Sequence, residues 1–307
     1  LQGRYFWTKR APENLLRAID CFERAIAEDP RFALAHAGLA DAYILLSTAP
    51  PREVMPKAKA AAERALALDD TLAAAHASLA FVRENYDWDF AGAEAGYRRA
   101  LALNPNYPTA RQWFAEHLAA RGRHEEGIEE INRARALDPL SLSIANSVAR
   151  QFYLARRFDS AAEQCRHVLE LDPSFLPALY RLGGILVQMG LFDEAVAQFR
   201  RALELSGGAT VMLAELGYAY AAAGRREEAD EVIARLQEAS DDAHADPGHL
   251  TTIYAWLGRK DESFRWLEQC FDARSPLLIY LKVEPIFDPL RDDPRFHELL
   301  TRVGHAD

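Results

Sequence analysis

The stretch SFLPALYRLGGILVQMGLFDEAVAQFRRALELSG, residues 174–207, decides the fold. Its first half places Leu179, Leu182, Gly183 and Leu186 at three- and four-residue spacing. Its second half does the same with Ala195, Phe199, Ala202 and Leu203. That spacing draws one apolar stripe along each of two helices. Met189-Gly190-Leu191 lies between them, and glycine suits the positive φ that ends a helix. Asp172-Pro173 just upstream suits a helix stop followed by a new start. The stretch therefore predicts two antiparallel helices joined by a tight turn.

The same design recurs outward in both directions. Asp29-Pro30, Asn104-Pro105, Asp138-Pro139 and Asp172-Pro173 close successive segments, and Asp70 and Gly207 stand where the proline would fall. These marks sit at positions 30, 70, 105, 139, 173 and 207, and the last three steps are equal. The period is about 34 residues, with the first step longer by six and the second by one. A second ladder runs through Gly122, Arg156, Gly190, Gly224 and Gly258, evenly spaced at the same period. Two independent ladders in one register mark an internal repeat.

Composition agrees. Half the 307 residues are hydrophobic, alanine and leucine lead among them, and β-branched runs are scarce. Such a chain forms helices rather than sheets. The net charge of −10 favours solubility and disfavours general affinity for nucleic acid or an anionic membrane. No apolar run approaches the roughly 18 residues that a membrane span needs. Cys21, Cys165 and Cys270 are three and far apart, which predicts neither a disulfide framework nor a metal cluster, and points to a reducing, cytoplasmic setting. The chain begins at Leu1 rather than methionine, so a fragment of a longer protein is expected.

These segments resemble the tetratricopeptide repeat, whose pattern is W-x2-L-G-x2-Y, then A-x3-F, then a later Ala and Pro. Leu213, Leu216-Gly217, Tyr220, Ala229, Ile233 and Leu236 match it, as do Leu179, Leu182-Gly183, Leu186, Ala195, Phe199 and Ala202. A third copy has His36, Leu39-Ala40, Tyr43, Ala58, Ala62 and Ala65. The resemblance implies an all-α, right-handed α-solenoid of about eight helix pairs over residues 1–272. The repeats fall at about 1–30, 31–70, 71–105, 106–139, 140–173, 174–207, 208–241 and 242–272. The six-residue excess, around Ser47 to Met55, is expected as a longer inter-helix loop. The single extra residue falls within Tyr86 to Phe90. The segment 273–307 leaves the register. Ser275-Pro276 and Asp293-Pro294 can each start a short helix, the second carrying Phe296, Leu299, Leu300 and Val303. This segment is expected to cap the exposed end of the solenoid.

Gly3 to Trp7, Tyr86 to Phe90 and Leu281 to Phe296 together look similar to the C-terminal repeat region of bacterial multidomain signalling proteins. In those, a winged-helix DNA-binding, kinase or nucleotide-cyclase domain precedes the repeats. This gives the alternative function: a regulatory region of a transcription regulator, kinase or cyclase whose output domain is absent from this chain.

The residues for chemistry are sparse. Gly183-Gly184 and Gly207-Gly208 fit neither the P-loop nor the dinucleotide pattern, and no zinc-protease or nucleophile-elbow motif occurs. Cys165 and Cys270 read as buried packing residues. His36 and His76 stand where the repeat has Trp, and read as satisfied histidines at a helix contact. His244 and His249 flank a helix entry and would need further ligands to hold a metal. Asp87 and Asp89 straddle Trp88, and an N-cap beside an aromatic plug suits them better than acid–base work. No catalytic residue, metal or cofactor is therefore expected. An enzyme built in a solenoid would require a polar cluster in a closed cavity.

In this family the first helices line the concave face, and their inward positions give a candidate peptide groove. Those positions are Gln112, Trp113 and Glu116, then Asn146, Arg150 and Tyr153. Tyr180, Arg181 and Gln188 follow, and then Glu215, Tyr218 and Trp256. Aromatics, arginines and amides are what peptide recognition uses. Arg150 and Arg181 are separated by one repeat less about one helical turn, and are expected as diagonal neighbours. They either clamp an acidic side chain or terminal carboxylate of a partner, or pair with Glu116 or Glu215 as ordinary surface residues. The function implied is a scaffold that binds a protein or peptide, an acidic one if the clamp operates. Direct nucleic-acid binding and membrane insertion are not expected.

Overall fold

The evenly spaced marks become helix ends in the structure, a computed structural model that describes residues 1–9, 11–46, 48–240 and 247–305. The chain divides into two compact units, Leu1–His117 and Leu118–Asp307.

The N-terminal unit holds α1 (Gln2–Thr8), α2 (Pro12–Glu28), α3 (Ala33–Leu45), α4 (Pro51–Leu68), α5 (Ala73–Val82) and α6 (Phe90–Leu103). The division falls within α7 (Pro108–Ala120). The excess residues around Ser47 to Met55 do not all enter a loop, as expected from the sequence. Ser47 lies outside the described residues. Pro51 opens α4, which has 18 residues against 14 in α6. Proline at the first helical position has its φ pre-set, so the excess lengthens the helix instead. The extra residue near Tyr86 is taken up differently. Arg83–Asp87 form a π-helical turn, which spends one more residue than an α-turn, and Trp88 ends it at φ 59°. Asp89 then caps α6, its carboxylate accepting from the Gly92 N–H at 2.9 Å.

The C-terminal unit continues with α8 (His124–Leu137), α9 (Leu142–Leu154), α10 (Phe158–Leu171), α11 (Leu176–Gln188) and α12 (Phe192–Leu205). It then has α13 (Thr210–Ala222), α14 (Arg226–Ser240), α15 (Gly248–Trp256), α16 (Lys260–Ala273) and α17 (Pro294–Arg302). Each first helix packs on its own second helix and on the next first helix, so α9, α11, α13 and α15 form a continuous inner row. Close approach depends on small residues. A Cβ on Gly183 would lie 2.5 Å from the Phe199 ring, and one on Gly217 would lie 2.7 Å from Val232 and Ile253. Phe199 is fully buried there, a burial that stabilises by roughly 2–3 kcal/mol. The turns keep the second ladder: Gly190, Gly224 and Gly258 have φ of 74°, 73° and 76°, and Arg156 has 60°.

After α16 the chain turns at Arg274, φ 56°, and makes two short 3-10 turns, Pro276–Tyr280 and Pro285–Leu290, before α17. Asp293 caps α17 through the Arg295 N–H at 3.1 Å. Arg295 reaches Asp261 at 2.8 Å and Arg302 reaches Glu268 at 2.7 and 2.9 Å, so α17 lies against α16. The fold is all-α, a solenoid of antiparallel helix pairs. Among the described residues no helix is long and apolar enough to cross a membrane.

Candidate peptide groove and its internal occupant

The inner row of the C-terminal unit gathers most of the residues expected to bind. Arg150 and Tyr153 come from α9, Tyr180, Arg181 and Gln188 from α11, Glu215 and Tyr218 from α13, and Trp256 from α15. They form one polar chain. Gln188 Nε2 donates to the Tyr218 hydroxyl at 2.6 Å, and the Tyr218 ring meets the Trp256 ring edge-on at 5.5 Å. Tyr180 donates to Glu215, and Arg181 lies close enough to bias that carboxylate.

The groove is partly filled by the chain itself. Residues 276–291 lie against α15 and α16, as expected of a cap, and also reach α9 and α11 as a strap. Glu284 is buried there. It accepts from the Tyr153 hydroxyl, and both Arg150 and Arg181 act on its charge. The Arg150 guanidinium lies 4.0 Å from the Tyr280 ring centre. Trp256 Nε1 donates to the Ile286 carbonyl at 2.9 Å. Arg156 holds both oxygens of Asp288, at 2.6 and 2.7 Å. Arg291 donates to Asp288 and to the carbonyls of Lys282 and Glu284, so the strap carries its own internal brace. The physical reason is apolar area. Leu278, Ile279, Leu281, Phe287 and Leu290 are all buried. The first of the two turns packs on α16 and the second on α15.

Burial gives this cluster unusual electrostatics. Removal from water, then the nearby Glu284 charge, pushes the Glu215 carboxyl up to about 8. Burial raises Glu284 also, against the pull of Arg150. Burial raises Tyr153 and Tyr218, and the Glu215 charge, then burial, raises Tyr180. At the strap's edge burial opposes ionisation of Asp288, yet hydrogen bonds from Arg156 and Arg291 hold it below the usual carboxylate range. Perturbed carboxylates of this kind can serve acid–base chemistry. Here they face the chain's own strap, with Tyr, Arg and each other as neighbours.

The remaining expected site residues are Asn146 and three on α7. Asn146 is buried on α9. Gln112, Trp113 and Glu116 belong to α7 in the N-terminal unit, where Trp113 is buried with its ring 5.0 Å from that of Phe81. His36 and His76 reach back to the carbonyls of Pro30 and Asp70 at 3.1 and 2.9 Å, and Arg111 does the same to Pro105 at 2.9 Å. The Trp position of those repeats thus ties each first helix to its entry turn. Asp87 pairs with Lys59 at 2.6 Å while Asp89 caps α6, so the two carboxylates do not work together. Cys165 and Cys270 are fully buried, and burial pushes the Cys165 thiol up to about 12. His244 lies outside the described residues. Sequence reading missed Arg156, Glu284 and Asp288. The first had a signal, since it stands alone among glycines in the turn ladder.

Two family models, each described as Tetratricopeptide repeat, match this chain. One covers residues 88–150 and 152–205, the other 180–244. No curated protein matches. Among solved structures the chain is similar to the APC/C hetero-tetramer Cut9–Hcn1. The TM-score is 0.63 at 14% identity, over 94% of this chain and 52% of that one. It is similar to the human IFIT1 dimer with PPP-AAAA, TM-score 0.58 at 17% identity, over 86% and 70%. It is also similar to PilW, a type IV pilus biogenesis factor, TM-score 0.56 at 21% identity, over 67% and 92%. At these identities the likeness concerns the fold. The two matched patterns, the turn ladder and the paired helices agree, and the chain belongs to the tetratricopeptide-repeat family.

Proposed function

We propose that the chain is a scaffold that recruits another protein through the inner row of its first helices. Tetratricopeptide repeats generally mediate contacts between proteins. The observation that carries the reading is Glu284 set among Arg150, Arg181 and Tyr153. The inner row presents two guanidiniums and a hydroxyl to one carboxylate of an irregular segment, which is how helical arrays hold peptide ligands. Part of the row stays open beside the strap. Nothing lies within 4 Å of a Cβ built on Gly184 of α11.

A photo-crosslinking residue at Gly184, with a control at the exposed Leu171 of α10, tests this. The reading expects one partner protein joined at position 184 and not at 171. Capture at 171 alone, or no capture, contradicts it.

A further inference from the structure

The strap binds the groove by the means that a separate peptide would use. Its centre, Glu284-Pro285-Ile286-Phe287-Asp288, makes no regular backbone pairing with the inner row; side chains of α9, α11 and α15 read it. Tyr153 donates to the first carboxylate, whose charge feels Arg150 and Arg181, and Arg156 takes the second with two parallel bonds. Trp256 takes a main-chain carbonyl between them, and Arg150 also covers the Tyr280 ring. An Arg–carboxylate fork, a Trp donor and an Arg–aromatic stack are the contacts that dominate recognition sites.

Two features favour exchange over permanent filling. First, the centre carries a desolvation cost. Glu284 enters beside Glu215, with Tyr180 and Tyr218 as neutral neighbours and Arg150, Arg181 and Arg291 as the cations around it. Burying the Glu284 carboxylate beside a second carboxyl costs hydration, which weakens the hold that the buried apolar groups give. Second, α17 is fastened to α16 by Arg295–Asp261 and Arg302–Glu268, apart from the groove contacts. A tethered segment meets its site at an effective concentration in the millimolar range, so even modest intrinsic affinity fills the groove in cis.

We infer that residues 280–288 are a built-in competitor, and that the partner of repeats 5–8 is an extended acidic segment of like chemistry. That segment carries a carboxylate, a proline next to it, an aromatic, and a second carboxylate four residues after the first. This rests on the scaffold reading and names the ligand class for the same row. Partner binding then displaces the strap, and the strap sets the threshold concentration.

The test uses the full chain and a fluorescent peptide with the sequence of residues 279–291. In a chain carrying Glu284→Lys and Asp288→Lys, like charges repel the strap from Arg150, Arg181 and Arg156. The peptide should bind this chain at least tenfold tighter than the unaltered chain, and exchanging its Glu and Asp for Gln and Asn should remove the gain. Equal, weak binding by both chains overturns the inference, provided helicity is retained and amide exchange shows the strap released. Should the altered chain not fold, the unaltered one suffices. Excess peptide should speed amide exchange across 280–288, and no change overturns the inference. A partner captured at position 184 with no peptide binding overturns the competitor and leaves the scaffold standing. No capture overturns the scaffold itself.

Discussion

Arg156 and Asp288, 132 residues apart in sequence, share a two-pronged ion pair of 2.6 and 2.7 Å. Arg156 does this from a turn whose counterparts in the next three repeats are glycines, and it holds φ at 60° to do so. A non-glycine residue in that region is strained by about 1 kcal/mol, a cost usually kept only where the side chain has a task. The strap's second carboxylate is that task.

Two substitutions separate strain from contact. Arg156→Ala loses the pair and keeps the strained turn, so unfolding free energy should fall by about 1 kcal/mol, the pair being partly exposed. Arg156→Gly loses the same pair but relaxes the backbone, so it should lie within about 0.5 kcal/mol of the unaltered chain. Both should loosen residues 285–290 in amide exchange. Equal loss of stability in the two variants would show that the turn carries no strain.

The groove carboxylates predict a pH dependence. Glu215, ordinarily near 4.5, is held up to about 8 in the folded chain by burial and by Glu284. Its neutral form is favoured when folded, so its stabilising effect is complete below about 4.5 and is lost as pH rises to about 8. His305, lowered to about 4 by burial and Arg121, acts in the opposite sense below 6.5. The Glu215 effect should therefore be clearest between pH 6.5 and 8, where stability should fall by on the order of 2 kcal/mol. Glu215→Gln should flatten that slope in urea titrations at several pH values. An unchanged slope would assign it to another group.

Gly183 and Gly184 are adjacent and should respond oppositely. A side chain at 183 meets the Phe199 ring, so Gly183→Leu should cost about 1–3 kcal/mol or more through overpacking. Position 184 faces open space in mid-helix, so Gly184→Ala should gain up to about 1 kcal/mol. Thermal unfolding of the two variants measures both. A destabilising Ala at 184 would mean that something covers this part of the row.

The repeat was legible because its determinants are local. The Asp-Pro stops, the turn glycines and the small residues at 183 and 217 act within one helix pair, so each reads from a window of a single repeat. The tail's two short helices were legible for the same reason, through Ser275-Pro276 and Asp293-Pro294. Their place against α16 was legible too, but the reach of Tyr280 and Glu284 to α9 and α11 was not. An apolar stripe such as Phe287 and Leu290 says that a segment must be covered, not by what. An end cap and a groove strap have the same pattern. The arginine pair read either as a clamp for a partner's carboxylate or as surface residues paired with Glu116 or Glu215. The structure puts Arg181 beside both Glu215 and Glu284. Trp113, placed inward by its register, is buried with its ring against Phe81.

The most direct measurement is amide exchange across residues 280–288 in the unaltered chain and in one carrying Arg150→Ala and Arg181→Ala. A strap seated in the groove predicts slow exchange there in the first. In the second it predicts exchange at least tenfold faster, while α10 and α12 stay protected. Exchange at free-peptide rates in the unaltered chain would contradict the internal occupant, and with it the competitor it implies.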